Sequence, residues 1–154
     1  MKSTRHSAAR ESGQIFGVLI VLVLVIGVGF WWLFNQRNTM RAEGRAFGHE
    51  VMQRLVINHD ANFLANSLGP QAKLDLPPMA QQDMMQKLQQ LGAPVGPLNV
   101  QGDIYFQSQF FEPHGNFTAL LNYPTGAMRI DIATSHPVSR WQIDTIGLSS
   151  AAPP

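Results

Sequence analysis

One pair of neighbouring residues, His49 and Glu50, begins a zinc-binding pattern. In that pattern, His-Glu-x-x-His on a helix, the histidines bind Zn²⁺ and the glutamate is a general base. Here Gln53 stands where the second histidine must be, so one ligand is missing. The chain has no cysteine, which excludes thiolate catalysis and cysteine-bound metals. The sequence therefore predicts no metal ion and no cofactor. The other histidines lie in the N-terminal tail or in predicted turns: His6, His59, His114 and His136.

A second candidate for chemistry is the pair Asp103 and Tyr105. They lie two residues apart in a predicted strand, so their side chains share one face. However, Ile104 and Phe106 of the same strand are the better candidates for the core. Asp103 and Tyr105 are then expected to face solvent, and we predict no catalytic residue.

The elements that must position these residues follow one long apolar stretch. Residues 15–34 contain no charge and no proline. About 20 apolar residues match the length of a helix that crosses a bilayer. A cleaved signal peptide is the alternative, but it has a shorter apolar core and ends in small residues. This stretch ends in bulky residues, including Trp31 and Trp32, which suit a membrane interface. We therefore expect an uncleaved, single-pass anchor.

The charges on either side of the stretch bear on orientation and on binding partners. Residues 1–14 carry Lys2, Arg5 and Arg10, and Arg37, Arg41 and Arg45 lie on the far side. This is nearly a tie under the positive-inside rule, and the free amino terminus favours a cytoplasmic tail with the domain outside. Of the 11 basic and 10 acidic residues, three and one lie in the tail, which leaves a net charge of −1 beyond residue 34. Such a balance argues against nucleic-acid binding.

Helical patterns occupy the first half of the remaining chain. Apolar residues recur at helical spacing over residues 35–58, although Gly44 and Gly48 interrupt the pattern and permit close packing. Asp60 is a plausible N-cap for a short second helix that ends at Gly69-Pro70. A third helix is predicted from Pro77-Pro78 to Gly92.

Alternating patterns occupy the second half and predict four strands separated by short turns. Short connections indicate antiparallel neighbours, and helices followed by strands indicate an α+β domain. We predict three helices packed on a four-stranded antiparallel sheet over residues 35–148, followed by a disordered tail, residues 149–154.

The order of these elements resembles that of the nuclear-transport-factor-2-like, or cystatin-like, superfamily. The resemblance rests on the short helix with Asp60–Leu64 and Leu68-Gly69-Pro70, on the helix end at residues 88–92, and on the last strand at residues 139–146. It implies a curved sheet wrapped around a long helix, leaving a conical cavity. Some members are enzymes that use a carboxylate and a tyrosine in that cavity, and others are membrane-anchored domains. No quoted motif is catalytic, so the resemblance concerns the scaffold.

We therefore expect a single-pass membrane-anchored, non-catalytic protein-interaction module, acting as an accessory or assembly subunit of a larger membrane complex or as a homodimer. The alternative is a small apolar-ligand-binding or enzymatic domain that uses the cavity. For the first function, the exposed face of the sheet is the expected contact surface, with Tyr105, Phe111 and Arg129 as its interface residues.

The anchor can be tested directly by washing membranes that contain the chain. We expect the full-length chain to stay in the membrane fraction after high-salt and carbonate washes, because apolar burial rather than charge holds it. The measurement is an immunoblot of pellet and supernatant. Release by carbonate, or a shortened mature chain, would refute the anchor.

Overall fold

A computed structural model of the chain describes residues 8–108 and 112–151, with side chains from residue 16 onward. The chain divides into two compact units, with the boundary between Asn38 and Thr39.

The described part of the first unit is helical throughout. Its residues belong to α1, Ala8–Val56, the longest helix of the chain. The apolar stretch of this helix is long enough to cross a membrane, and none of it is buried. Trp31 and Trp32 are 69% and 59% exposed. A membrane anchor and a signal sequence both fit such a helix near the N-terminus.

The second unit begins with helices. After the end of α1 come α2 (Ala61–Ser67), α3 (Pro70–Asp75) and α4 (Pro78–Leu91). The predicted cap is confirmed, since the Asp60 carboxylate accepts a hydrogen bond from the Phe63 N–H at 2.9 Å. We predicted three helices after the apolar stretch, counting the end of α1, whereas the described residues form four. Gly69-Pro70 does end α2, but Pro70 also occupies the first turn of α3, where its fixed φ favours a helix.

The rest of the unit is one antiparallel sheet. It consists of β1 (Val100–Phe106), β2 (Pro113–Tyr123), β3 (Gly126–Ser135) and β4 (Gln142–Ala151), in the order β1-β2-β3-β4. The predicted meander is confirmed. The predicted tail from residue 149 was wrong for residues 149–151, because β3 continues opposite them and pairs with their backbone. Residues 152–154 of that tail lie outside the described residues.

The sheet is not strongly curled, contrary to the curved sheet that we predicted. Curvature in a sheet usually comes from bulges and glycine kinks. Gly102 of β1 could permit such a kink, but β1 pairs continuously with β2 through this residue, which lies opposite Phe117. A glycine is instead required at residue 102 because the backbone of β2 lies very close to it. A Cβ at the Gly102 φ of +157° would overlap the carbonyl oxygen of Asn116. The pairing shifts at one place among the described strands, between residues 133 and 134.

The core lies between the inner face of the sheet and the helices. Alternate residues of the strands face inward, and Phe117, Leu121, Ile130 and Ile132 are each at most 2% exposed. They belong to one cluster with Val51, Met52 and Leu55 of α1, which are equally buried. Full burial of each large side chain contributes about 1.5–3 kcal/mol to the free energy of folding.

Two glycines of α1 set the distance between that helix and the sheet. A Cβ on Gly48 would lie 2.5 Å from the Phe117 ring. A Cβ on Gly44 would lie 2.5 Å from the Trp141 ring and 2.6 Å from Cδ1 of Ile104. Real Cβ atoms do not approach so closely, so the rings rest directly on the helix backbone. This confirms that the two glycines, which are poor helix formers, permit close packing.

The glycine contact predicts the effect of Gly48→Ala. Alanine would strengthen the helix by about 1 kcal/mol. We expect a net loss of about 1–3 kcal/mol of stability nevertheless, because the buried Phe117 ring has no room to move. Thermal or denaturant unfolding of the full chain in detergent measures the change.

The matched control is Gly147→Ala, whose Cβ would meet only Asp131 atoms, at 3.9 Å. It should leave stability within about 0.5 kcal/mol of the wild type. If both variants are equally stable, Phe117 does not rest on Gly48.

Candidate interaction surface

The face of the sheet turned away from the core is called the outer face. Its residues alternate with the buried ones along each strand and are exposed or half-buried. Pairing aligns them in rows across the four strands. The outer face comprises Gln101, Asp103 and Tyr105 on β1, His114, Asn116, Thr118 and Leu120 on β2, Arg129, Asp131 and Ala133 on β3, and Thr145, Gly147 and Ser149 on β4.

A hydrogen-bonded cluster occupies the middle of the outer face. Arg129 Nε donates to Oδ2 of Asp131 at 2.9 Å, and Thr118 Oγ1 donates to Oδ1 at 2.6 Å. The Arg129 side chain and then the Thr118 hydroxyl hold the pKa of Asp131 below its usual value, because both bonds favour the charged form. The Arg129 and Asp131 side chains are 54% and 44% exposed. The pair therefore adds little to stability, about 0–1 kcal/mol, and fixes the direction of two charges at the surface.

Beside this cluster the outer face has a shallow depression of about 430 Å³. Gly147 and Ala133 lack large side chains and form its floor, while Arg129 and Asp131 line one side. The space around residue 147 does not require a glycine, since a Cβ there would make only ordinary contacts. The small residues thus leave open space next to oriented charges, which a partner's side chain could enter.

Tyr105 lies at the end of the outer face where β2 begins. Its ring stacks on the His114 ring, with centroids 5.7 Å apart, and it is 50% exposed. Tyr105 pairs with His114, whereas Arg129 pairs with Leu120, six residues further along β2. The two predicted interface residues are therefore about 20 Å apart. They cannot share a pocket, although a contact of about 800 Å² per partner would include both.

The third predicted interface residue, Phe111, lies outside the described residues. Sequence reasoning missed Leu120, which is 54% exposed on the outer face beside Arg129. It also missed the bond from Thr118 to Asp131. Counting back along the hairpin from its Tyr123–Gly126 pair would have placed both of them on the outer face.

The Asp103–Tyr105 pair has the geometry of surface residues. Asp103 accepts hydrogen bonds from Arg45 of α1 at 2.8 and 3.0 Å and from the Ile104 N–H at 2.7 Å. The Arg45 side chain first, and then this N–H, hold the pKa of Asp103 below its usual value. Its side chain is 62% exposed. A carboxylate so paired and solvated lacks the apolar enclosure that a carboxylate–tyrosine site needs.

The residues of the incomplete zinc pattern lie on α1. His49 and Glu50 are exposed, and Glu50 pairs with Arg54 at 2.9 Å, as their spacing of four residues predicts. A depression of about 330 Å³ at one end of the sheet includes His114, His136 and Glu112. Among the described residues, no three histidines or carboxylates are grouped so that they could hold a metal ion.

A bulge in β4 changes which of its residues face outward. Ala133 pairs with Thr145 and Thr134 with Ile143, which leaves Asp144 without an opposite residue. One extra residue reverses the alternation of side chains along a strand. Odd-numbered β4 residues therefore face inward before the bulge and outward after it.

Gln142 lies before the bulge and opposite Ser135, so it faces outward, next to the inward and fully buried Ile143. Gln142 is half-buried and lies against Gly69. Its amide nitrogen donates to the Ser135 hydroxyl at 3.3 Å and to the Asp144 carboxylate at 3.1 Å. Its side chain is thus engaged in hydrogen bonds within the domain.

Comparison of the chain with protein-family models, with curated proteins and with solved structures finds no match. The resemblance to the nuclear-transport-factor-2-like superfamily therefore stays a prediction, and functional inference depends on the surfaces of the molecule itself.

The hydrogen bonds to Asp131 predict how its carboxylate titrates. In an NMR titration of side-chain carboxyl carbons, Asp131 should titrate below the usual range of aspartate. Arg129→Gln should raise its pKa most, and Thr118→Val should raise it less, following the order of their contributions. Because the folded pKa is lowered, the small stabilisation by this pair is present at neutral pH and is lost as pH falls through the folded value.

Asp103 is the internal control, since Arg45→Gln should raise its pKa and leave Asp131 unchanged. A normal pKa for Asp131 in the wild type would contradict the cluster.

Proposed function

We propose that the chain is a single-pass membrane-anchored, non-catalytic protein-interaction module that serves as an accessory or assembly subunit of a larger membrane complex. The observation that carries the proposal is a filled domain interior beneath an open, patterned sheet face, in a chain that also has an exposed apolar stretch in α1. The helix would lie in the bilayer with Trp31 and Trp32 at its interface, since indole rings favour that level. The basic residues on the two sides of the helix are nearly balanced, and the free amino terminus favours a cytoplasmic N-terminus and an external domain.

The packed interior argues against the alternative of a ligand-binding or enzymatic cavity. The space between α1 and the sheet, where the resemblance implies a cone, is occupied by large side chains that are at most 2% exposed. Phe117 touches the helix backbone at Gly48. A ligand site needs several hundred Å³ of concave, mostly apolar space with convergent polar groups. The helix–sheet contact leaves no such space around Phe117.

The composition of the outer face supports a protein partner. It offers a tyrosine, an arginine and a leucine, and it contains no lysine. Aromatic residues and arginine are enriched in interfaces, whereas lysine is depleted. The face is otherwise polar, so bulk hydrophobic burial would contribute little. The contact should be modest in solution and strengthened where both partners are held in one membrane.

Crosslinking with single cysteines tests the proposed surface, because the wild-type chain has none. Cysteines at Gln107 and Asn116 report on the outer face, and one at Gln86 of α4 reports on the helical side. All three positions are exposed. In native membranes we expect specific crosslinks from the first two and none from Gln86.

Two further variants test the residues themselves. Arg129→Ala and Tyr105→Ala should each reduce the crosslink yield, while Glu43→Ala, on the exposed surface of α1, should not. Crosslinks from Gln86 alone would show that the partner sits on the helices. No crosslink from any position would refute the interaction module.

A further inference from the structure

The free edge of the sheet at β4 lacks the usual protection. β4 is the last strand, and its residues 145–151, Thr-Ile-Gly-Leu-Ser-Ser-Ala, include no charge and no proline. This segment is called the β4 edge. In the part of the chain that the structure describes, its backbone pairs only with β3. Natural sheets usually protect exposed edges with charges, proline or coverage by other segments. About 23 Å of backbone N–H and C=O groups is therefore open to pairing.

The opposite edge of the sheet differs in this respect. On β1, Asp103 places a charge in the middle of the strand, and Arg45 of α1 reaches it with two hydrogen bonds. A charge on an edge strand is one of the devices that prevent pairing. The β4 edge has no such charge.

The beginning of β4 already accepts backbone from another segment. Leu68 bridges Ile143 in the parallel sense, and the Gly69 N–H donates to the Ile143 carbonyl at 2.8 Å. The added segment is short because α3 begins at Pro70. The β4 edge starts where this contact stops.

A groove runs beside the β4 edge on the inner side of the sheet, between β4 and α4. It has a volume of about 370 Å³ and is called the α4 groove. The larger part of its lining is apolar, and two charged residues of α4 also line it. The lining residues are Ala80, Asp83, Met84, Lys87 and Leu88 of α4, Met128 of β3, and Leu148, Ser149 and Ser150 of β4. On the other side of the strand, Thr145 and Gly147 border the depression of the outer face. A strand added here would direct alternate side chains towards the two concavities.

We propose that the β4 edge is a strand-docking site, which takes an extended segment of a protein partner with an apolar side chain at alternate positions. Main-chain hydrogen bonds to residues 145–151 would give the affinity, and the α4 groove would select the side chain. This proposal rests on the proposed function as an interaction module and specifies the kind of segment that the module binds.

A second copy of the chain is a poorer occupant than such a segment. Its own β4 would bring Ile146 and Leu148, which are already packed against its own core. The residues that follow are Ser149 and Ser150, which are small and polar. A second copy therefore brings an identical groove and no apolar side chain to fill the first.

The test uses the full-length chain in its native membranes. Single cysteines at Thr145, Gly147 and Ser149 carry a short photoreactive probe, and the crosslinked partner residues are identified by mass spectrometry. Strand pairing has a distinctive signature, because steps of two residues along β4 should give steps of about two residues along one partner segment.

Filling the α4 groove provides the second measurement. Ala80→Trp should reduce the crosslink yield from Ser149 at least fivefold. Gln86→Trp, at an exposed position of the same helix outside the groove, should leave it unchanged. Ser150→Lys, which places a charge at the end of the groove, should also reduce the yield and covers the case that Ala80→Trp does not fold. Circular dichroism establishes that each variant is folded.

The outcomes separate this proposal from the proposed function. Stepwise crosslinks that are lost on filling the groove support strand docking. Crosslinks from the β4 edge only to another copy of the chain overturn it in favour of a homodimer. Crosslinks from Asn116 but not from the β4 edge, or β4 crosslinks that folded groove-filling variants leave unchanged, also overturn it and leave the interaction module intact. No crosslink from any position refutes both.

Discussion

The contact of two aromatic rings with two glycines of α1 is the constraint on which the rest of the domain depends. Phe117 rests on Gly48 and Trp141 on Gly44, with no side chain between ring and helix backbone. A glycine inside a helix costs about 1 kcal/mol relative to alanine, so the sequence accepts weaker helix propensity here in exchange for contact. The helix lies close enough to the sheet for Val51, Met52 and Leu55 to be fully buried against it.

That closeness also decides where function can reside. In a domain whose helix stands away from its sheet, the enclosed space can hold a ligand and its chemistry. Here the enclosed space is filled, and the groups with an oriented charge or an open backbone lie on the outside. The Arg129–Asp131–Thr118 cluster and the β4 edge are both of this kind. A surface site of this sort would suit the interaction module that we propose.

Much of the fold could be predicted from the sequence because its signals are local. Alternation along β2 identified its buried residues, and short turns identified the meander. Asp60 marked a helix start through its capping carboxylate, and Pro78 marked another through its fixed φ. The features that could not be predicted depend on contacts between distant parts of the chain. The bulge at Asp144 depends on how β4 pairs with β3, which the sequence of β4 alone does not specify.

The surface was harder to predict for the same reason. Which residues face outward follows from alternation, and Tyr105 and Arg129 do so. How far apart they lie depends on register, which separates them by six residues along β2. Sheet curvature was taken from a resemblance rather than from residues, and the regular pairing through Gly102 did not support it. Leu120 went unnoticed because a lone apolar residue on an exposed face carries no sequence signal.

The order of elements along the chain has a consequence for biosynthesis. Gly48 leaves the ribosome 69 residues before Phe117, the ring that covers it. At about 5–20 residues per second, this separation amounts to about 3–14 s of translation. During that interval the apolar face of α1 has no sheet to pack against, whereas the β2–β3 hairpin, once made, can pair at once around its short turn. The helix that is made first therefore waits for its packing partner, and its apolar face stays uncovered until the sheet has been made.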